Sequence, residues 1–363
     1  MAPKKIALDA PKTKRVMTPD QLEKLAAARV KANEVRQMMK EDRAAKKKAF
    51  QIDTAPDFFQ LHTLCIASGT RGQGKTTAVI NLVREAYNRG YYDRVIVITP
   101  TYHSNKELWD ILPEDSLNDD DIFEPDISWL KNTKVIINAE REEWELFQRQ
   151  KALYNSFHND MKHKAVKNIN VNVLMEYYDM GLLDNPNMEK PTWKYRTEQA
   201  PRIAVIIDDS VGTDLMNKRT AGLTKFIIAH RHWGKGLGCS VYMLVQSYCC
   251  HEGVARAIRE NTCLLMLWKV KDKNQRAKII EEAGLDVSEE QFFGMLDHCI
   301  CEPYGFLCID FQPKTQMTQF RKCFKTFLNP ADFHKDIGNE NVNVNGNLNV
   351  NENGNGNENL NVN

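Results

Sequence analysis

A glycine-rich loop between an apolar strand and an amphipathic helix constrains this chain more than any other feature. Residues 69–76 read Gly-Thr-Arg-Gly-Gln-Gly-Lys-Thr and match the pattern G-x-x-x-x-G-K-[ST]. Residues 61–68, just before the loop, are apolar enough for a strand, and residues 75–89 place four apolar side chains on one helical face. The backbone N–H groups of such a loop and the helix N-terminus together bind phosphate. The sequence therefore predicts a nucleotide-binding α/β protein.

The residues of this loop have separate predicted roles in binding ATP and Mg²⁺. We expect Lys75 to bridge the β- and γ-phosphates, Thr76 to bind the metal through its hydroxyl, and Thr77 to contact the α-phosphate. The predicted nucleotide-binding residues are Gly69, Thr70, Arg71, Gly72, Gln73, Gly74, Lys75, Thr76 and Thr77.

A second apolar run ends in two carboxylates, as a metal-dependent phosphate site requires. Residues 203–207 are Ile-Ala-Val-Ile-Ile, and Asp208 and Asp209 follow. We predict that this strand neighbours the one that enters the phosphate loop. Asp208 would then hold Mg²⁺ together with Thr76, and Asp209 would polarise the attacking water. The alternative is that Asp209 caps the following helix.

Two further polar residues are candidates for contacts with the γ-phosphate. Gln246 follows the predicted strand 240–245, at the carboxyl end where open α/β sheets bind ligands. It would contact the γ-phosphate or the attacking water, or else serve only as a turn or capping residue. Ring ATPases insert an arginine from the neighbouring subunit, and Arg231 is the first candidate for that finger. The alternates are Arg256, Arg259 and, less favoured, Arg219, and each could instead be an ordinary surface arginine.

Strand-like and helix-like runs alternate through the rest of the body. This alternation predicts a mainly parallel sheet with helices on both faces, with residues 102–200 inserted between core strands. The predicted strands are 61–68, 94–99, 133–137, 202–207, 240–245, 262–268, 306–309 and 320–327. The predicted helices are 75–89, 105–111, 139–157, 215–232, 252–260 and 272–284.

The two ends differ in composition from the predicted ATPase domain, residues 51–337. The formal net charge is +1, yet residues 1–50 carry a net of +8 and residues 338–363 a net of −3. We expect residues 1–50 to be flexible and then helical from Thr18, either as a solvated helix or as a basic arm for phosphates or a partner. Every odd position from Asn339 to Asn363 is Asn, which predicts a disordered tail, either a spacer or an assembly segment.

The chain contains no apolar run long enough to span a membrane, and its 9 cysteines are an odd number. We therefore expect no membrane partner and reduced thiols in an intracellular, non-secreted protein.

Taken together, the loop, the Asp208-Asp209 pair, Arg231-His232 and the strand ending at Gln246 resemble a known family. They are similar to the virion DNA-packaging ATPases of large DNA viruses and virophages, the poxvirus-type branch of the FtsK–HerA superfamily. The resemblance covers roughly residues 55–330. Many superfamily members have Asp-Glu where this chain has two aspartates.

The resemblance implies a RecA-like P-loop core that assembles into a ring and threads double-stranded DNA into a capsid. In that case Asp208 is the metal acid, Asp209 the catalytic acid, Gln246 the sensor and Arg231 the finger. The implied partners are duplex DNA, held through its phosphates, further copies of this chain, and a capsid or portal-like protein. The implied location is the host cytoplasm or a viral factory, the virion, or the nucleus. Two alternatives stay open: a HerA-like helicase or conjugation-type DNA pump, and a nucleotide-gated DNA-binding or capsid-assembly protein with little hydrolysis.

Overall fold

A nine-stranded sheet forms the centre of the part of the chain that the structure describes. The computed structural model describes residues 60–333, except 127, 165, 211–221, 250–253, 271, 284–285, 314 and 316–317. The predicted basic extension, the Asn-rich tail and the first part of the predicted helix 215–232 lie outside the described residues. The strands are β1 (Leu64–Ser68), β2 (Arg94–Ile98), β3 (Ile122–Phe123), β4 (Ile203–Ile207), β5 (Ser240–Val245), β6 (Leu264–Leu267), β7 (Leu307–Asp310), β8 (Phe320–Lys322) and β9 (Thr326–Phe327).

The sheet has the order β3-β2-β4-β5-β1-β6-β7-β8-β9. Strands β1 to β6 pair in parallel, with Leu64 opposite Val241 of β5 and Cys65 opposite Leu264 of β6. Strands β7, β8 and β9 extend the sheet with antiparallel pairings. The central strands are apolar throughout because both of their faces are buried. The predicted fold class, a mainly parallel sheet with helices in a P-loop arrangement, is confirmed.

Helices cover both faces of this sheet. Alternate residues of each strand contribute to two separate cores. The core that contains Cys65 and Ala67 includes the helix Lys75–Asn88, and the core that contains Leu64 and Ile66 includes the helices Ser128–His163, Gly222–Ile228 and Glu289–Ile300. Among the described residues, no helix is both long and apolar enough to cross a bilayer. The helices are α1 (Lys75–Asn88), α2 (Lys106–Trp109), α3 (Ser128–His163), α4 (Val171–Asp179), α5 (Gly222–Ile228), α6 (Trp233–Gly236, one irregular turn), α7 (Arg256–Arg259), α8 (Lys273–Ala283) and α9 (Glu289–Ile300).

One predicted strand is wrong. Residues 133–137 lie inside α3, a helix of 36 residues, and do not form a strand. Thr133 and Ile137 are fully buried while Val135 is 58% exposed, which is the i, i+4 pattern of a helix. The β-branched run Val135-Ile136-Ile137 has strand propensity, but packing on the sheet overrides it.

The segment between β2 and β4 is fastened to the sheet by a buried ionic network. Arg94 of β2 pairs with Asp121 at 2.7 Å and with Glu140 of α3 at 2.6 Å. Both carboxylates are almost fully buried. Glu140 also accepts hydrogen bonds from Lys194 and Tyr195, each at 2.8 Å. Removing one partner from such a network leaves a buried charge uncompensated, so these contacts fix the position of α3 on the sheet.

Candidate active site

The predicted site residues follow three strands that run parallel, so they meet at one edge of the sheet. The phosphate loop follows β1, Asp208 and Asp209 follow β4, and Gln246 follows β5. The acidic strand was expected beside β1, and that expectation is wrong because β5 lies between them. The consequence is that Gln246 leaves the sheet between the phosphate loop and the two aspartates, where ligands bind in open α/β sheets.

The phosphate loop is held closed by its own side chains. Gln73 accepts a hydrogen bond from the Thr70 N–H through its side-chain oxygen, at 3.0 Å. The Lys75 ammonium donates to the carbonyl oxygens of Gly69, at 2.7 Å, and of Thr70, at 3.1 Å. Burial lowers the pKa of Lys75, while the charges of Asp208 and Asp209 oppose that shift. The lysine therefore lies inside the loop, as a phosphate-binding lysine must.

Two glycines of the loop have a conformation or a packing that other residues do not tolerate. Gly74 caps α1 in the left-handed region, at φ 83°. A Cβ atom on Gly69 would lie 2.6 Å from the Cβ of Trp268, and one on Gly74 would lie 3.1 Å from the ring of Tyr304. Trp268 and Tyr304 therefore border the loop. The sequence could have indicated Trp268, since it is the last residue of the predicted strand 262–268, but nothing in the sequence indicated Tyr304.

Thr76 and Asp208 converge as the predicted metal ligands should. The Thr76 hydroxyl donates to Asp208 Oδ2 at 2.9 Å, across 132 residues of sequence. Asp208 is only 8% exposed. Burial raises its pKa, the Thr76 hydrogen bond opposes that shift, and the Asp209 charge adds to it. A buried carboxylate beside a hydroxyl, with its charge only partly compensated, is a donor set that suits Mg²⁺, which prefers oxygen ligands.

Asp209 and Gln246 form a second pair beside the first. Asp209 is exposed and has a left-handed backbone, at φ 48°, which aspartate adopts more readily than most residues. Gln246 is also exposed and donates through Nε2 to Asp209 Oδ1 at 3.3 Å. The two side chains are therefore in direct contact next to the Thr76–Asp208 pair.

The candidate finger arginines lie in different surroundings. Arg231 is exposed and lies near His62, which precedes β1, so it is at the opposite end of the sheet from the phosphate loop of its own chain. Arg259 pairs with both oxygens of Glu282, at 2.6 and 2.7 Å. Arg256 is exposed and pairs with Glu260 at 2.7 Å. Arg219 lies outside the described residues. Arg231 therefore does not lie beside the phosphate loop of its own chain, and its role as a finger for a neighbouring subunit stays a prediction.

Comparison with known proteins gives structural likenesses at low identity. No family model matches the chain, and no curated protein matches its sequence. One similar solved structure is the conjugation coupling protein TcpA of pCW3, solved with ATPγS: 12% identity, TM-score 0.38, 73% of this chain and 61% of that one covered. A second contains ATPases 2 and 3 of EssC from Geobacillus thermodenitrificans: 16% identity, TM-score 0.38, 76% of this chain and 41% of that one covered.

A third likeness is to a viral protein of smaller size. The genome-packaging NTPase B204 of Sulfolobus turreted icosahedral virus 2, solved with ATPγS, matches at 9% identity with a TM-score of 0.32. The match covers 74% of this chain and the whole of that one, whereas this chain spans less than two thirds of the coupling protein and of EssC. These structures are P-loop ATPases of the FtsK–HerA type, the group that the sequence motifs resemble. Because every TM-score is below 0.5, they carry no conclusion about substrate or partner.

Proposed function

We propose that this chain is an ATPase that hydrolyses ATP in the presence of Mg²⁺. The observation that carries the proposal is the hydrogen bond between Thr76 and Asp208, which brings two distant motifs to the mouth of the phosphate loop. In this proposal Thr76 and Asp208 hold the metal, which offsets charge on the phosphate oxygens. The backbone of the loop and Lys75 bind the β- and γ-phosphates.

The hydrolytic step would be an in-line attack of water on the γ-phosphate. Asp209 orients that water and accepts its proton, and Gln246 fixes the Asp209 carboxylate through the 3.3 Å hydrogen bond. The protein contributes mainly positioning and charge stabilisation. Because Gln246 follows β5, between the other two strands of the site, a change at the γ-phosphate would reach the rest of the sheet through that strand.

We further propose that hydrolysis drives movement along double-stranded DNA, and that the motor packages a viral genome into a capsid. The support is the resemblance of the full motif set, including Arg231-His232, to viral packaging ATPases. In this proposal the chains form a ring, and Arg231 reaches the site of the next subunit. Contacts with DNA would be to phosphates, and binding would therefore weaken steeply with salt. A capsid or portal-like protein and an intracellular location belong to the same proposal.

Phosphate release measured with and without duplex DNA tests the enzymatic part. We expect DNA to stimulate hydrolysis by the wild-type chain, and Lys75→Ala and Asp209→Asn to abolish it. Asp184→Asn, an exposed carboxylate in the segment between β2 and β4, serves as the matched control and should leave the rate unchanged. If the wild-type chain does not hydrolyse ATP, or if both site variants retain its rate, the proposal is wrong.

The same motifs leave a helicase or conjugation-type pump as a second candidate. A strand-displacement assay beside a triplex-displacement assay separates the two, because a packaging motor moves along the duplex without opening it. Displacement of the third strand alone favours packaging, and separation of the duplex favours the helicase.

A further inference from the structure

Tyr304 is an exposed aromatic residue held in an unfavourable backbone conformation. Its side chain is 61% exposed, although large aromatic residues are normally well buried. Its φ is 64°, in the left-handed region that glycine and asparagine adopt but bulky residues rarely do. Gly305 follows directly, so a glycine for the turn was available one position away. Strain of this kind persists where the surrounding structure enforces it, which points to a use for the ring.

The turn that contains Tyr304 packs on the core through three buried aromatic side chains. The Trp268 indole N–H donates to the Tyr304 carbonyl oxygen at 3.3 Å. Trp268 packs on Phe306 with ring centroids 4.5 Å apart, and Phe306 packs on Phe324 at 4.9 Å. All three supporting side chains are buried, within 2% exposure. The position of Tyr304 is therefore set by the core and not by solvent.

The same support connects Tyr304 to the phosphate loop. Trp268 lies against Gly69 at the start of the loop, and the Tyr304 ring lies against Gly74 just before α1. A nucleotide that the loop holds by its phosphates must place its ribose and base outside the loop, and Tyr304 is an aromatic residue at the border of the loop. Tyr304 is 61% exposed, so part of its ring is accessible to a planar ligand.

We propose that Tyr304 stacks on the base of the bound nucleoside triphosphate and is therefore a determinant of affinity for the nucleoside part of the substrate. The inference rests on the proposed function, because it requires a nucleotide in the loop. Stacking on an aromatic ring tolerates any base, since every base has a π-face. The residue thus distinguishes a nucleotide from a bare polyphosphate more than one base from another.

Calorimetric titration with two probes tests this assignment. One probe is a non-hydrolysable imido analogue of ATP with Mg²⁺, and the other is tripolyphosphate with Mg²⁺, which has the phosphates and no base. Tyr304→Gly removes the ring and also relieves the left-handed backbone, so this variant should be at least as thermostable as wild type. Tyr304→Phe keeps the ring as the matched control, and Tyr304→Asn is a second ring-free variant that accepts the same φ.

We expect Tyr304→Gly and Tyr304→Asn to weaken binding of the nucleotide analogue by about tenfold, which is within the range measured for base stacking. The affinity of tripolyphosphate for all variants should stay within about twofold of its affinity for wild type. The affinity of the nucleotide analogue for Tyr304→Phe should also stay within about twofold of wild type. Equal weakening of the binding of both probes would show that Tyr304 only shapes the loop. Unchanged binding of both probes, with or without a change of oligomeric state, would show that the ring serves a different contact. Either result overturns the inference while leaving the ATPase proposal intact. Failure of the wild-type chain to bind either probe overturns both.

Discussion

Replacing Asp208 by Asn should stabilise the nucleotide-free protein while removing its response to Mg·ATP. The carboxylate is 8% exposed and accepts one side-chain hydrogen bond, from Thr76 at 2.9 Å. Burial and the charge of Asp209 raise its pKa, which means that the ionised form is held at a cost in the folded protein. Asparagine keeps the shape and the acceptor oxygen for Thr76 but has no charge to desolvate.

The size of the effect follows from the burial of this group. Burying a polar group with partial compensation costs about 1–3 kcal/mol in protein mutational data, and the Thr76 hydrogen bond and Lys75 place Asp208 at the low end. We therefore expect a gain of about 1 kcal/mol, which raises the melting temperature by about 2–4 °C for a domain of this size. Saturation with Mg·ATP at about 100 times Kd should add about 2.7 kcal/mol to the wild-type protein. The variant should lose the part of that gain that depends on the metal.

Thermal unfolding followed by circular dichroism, with and without Mg·ATP, measures both effects. The prediction is a reversal of order: the variant melts higher without ligand, and the wild type melts higher with it. Asp184→Asn should melt with the wild type in both conditions. A variant that is less stable than wild type without ligand, or that gains as much from Mg·ATP, would refute the view that Asp208 is a buried, undercompensated metal ligand.

Three further predictions concern the surroundings of the site. Gly69→Ala should cost about 1–3 kcal/mol in urea unfolding because the new Cβ would lie 2.6 Å from that of Trp268, and no change would contradict the close packing. Arg94→Ala should cost about 3–5 kcal/mol because it removes the arginine that pairs with the buried Asp121 and leaves the buried Glu140 with Lys194, whereas Arg149→Ala, at an exposed ion pair, should cost less than about 1 kcal/mol. Burial, together with the nearby His230, Arg231 and His232, lowers the pKa of His62 below 6.5. The neutral form of this side chain therefore contributes stability that is complete above pH 6.5 and is lost as the pH falls through the folded-state pKa. His62→Asn, which keeps the left-handed backbone, should therefore lose less stability than wild type between pH 7 and pH 5, and equal losses would contradict the assignment.

The sequence predicted the centre of the sheet well because burial on both faces makes the strands uniformly apolar. Strands β1, β2, β4, β5 and β6 were all identified by such runs, and the phosphate loop by its glycines. Residues 133–137 were wrongly predicted as a strand for the same reason, since a short β-branched segment inside a long helix has the same local composition as a buried strand. Helix α9 was missed although Ser288 and Gln291 form a capping box in the structure, a signal that is present in the sequence.

The sequence indicated the candidate site residues but not their arrangement. The order of strands decides which side chains meet, and spacing along the chain does not reveal that β5 lies between β1 and β4. The contact of Gln246 with Asp209 is a consequence of that order. Tyr304 could not be predicted as a site residue for a different reason. Its position depends on a φ angle and on a hydrogen bond from Trp268, and neither has a sequence signature.

ATP-dependent displacement of a triplex-forming strand from duplex DNA tests the central claim most directly, because it requires both hydrolysis and movement along an intact duplex. We predict displacement by the wild-type chain with ATP, none with a non-hydrolysable analogue, and none by Asp209→Asn. If the wild-type chain hydrolyses ATP without displacing the third strand, or if Asp209→Asn displaces it equally well, the protein is not a motor of the proposed kind.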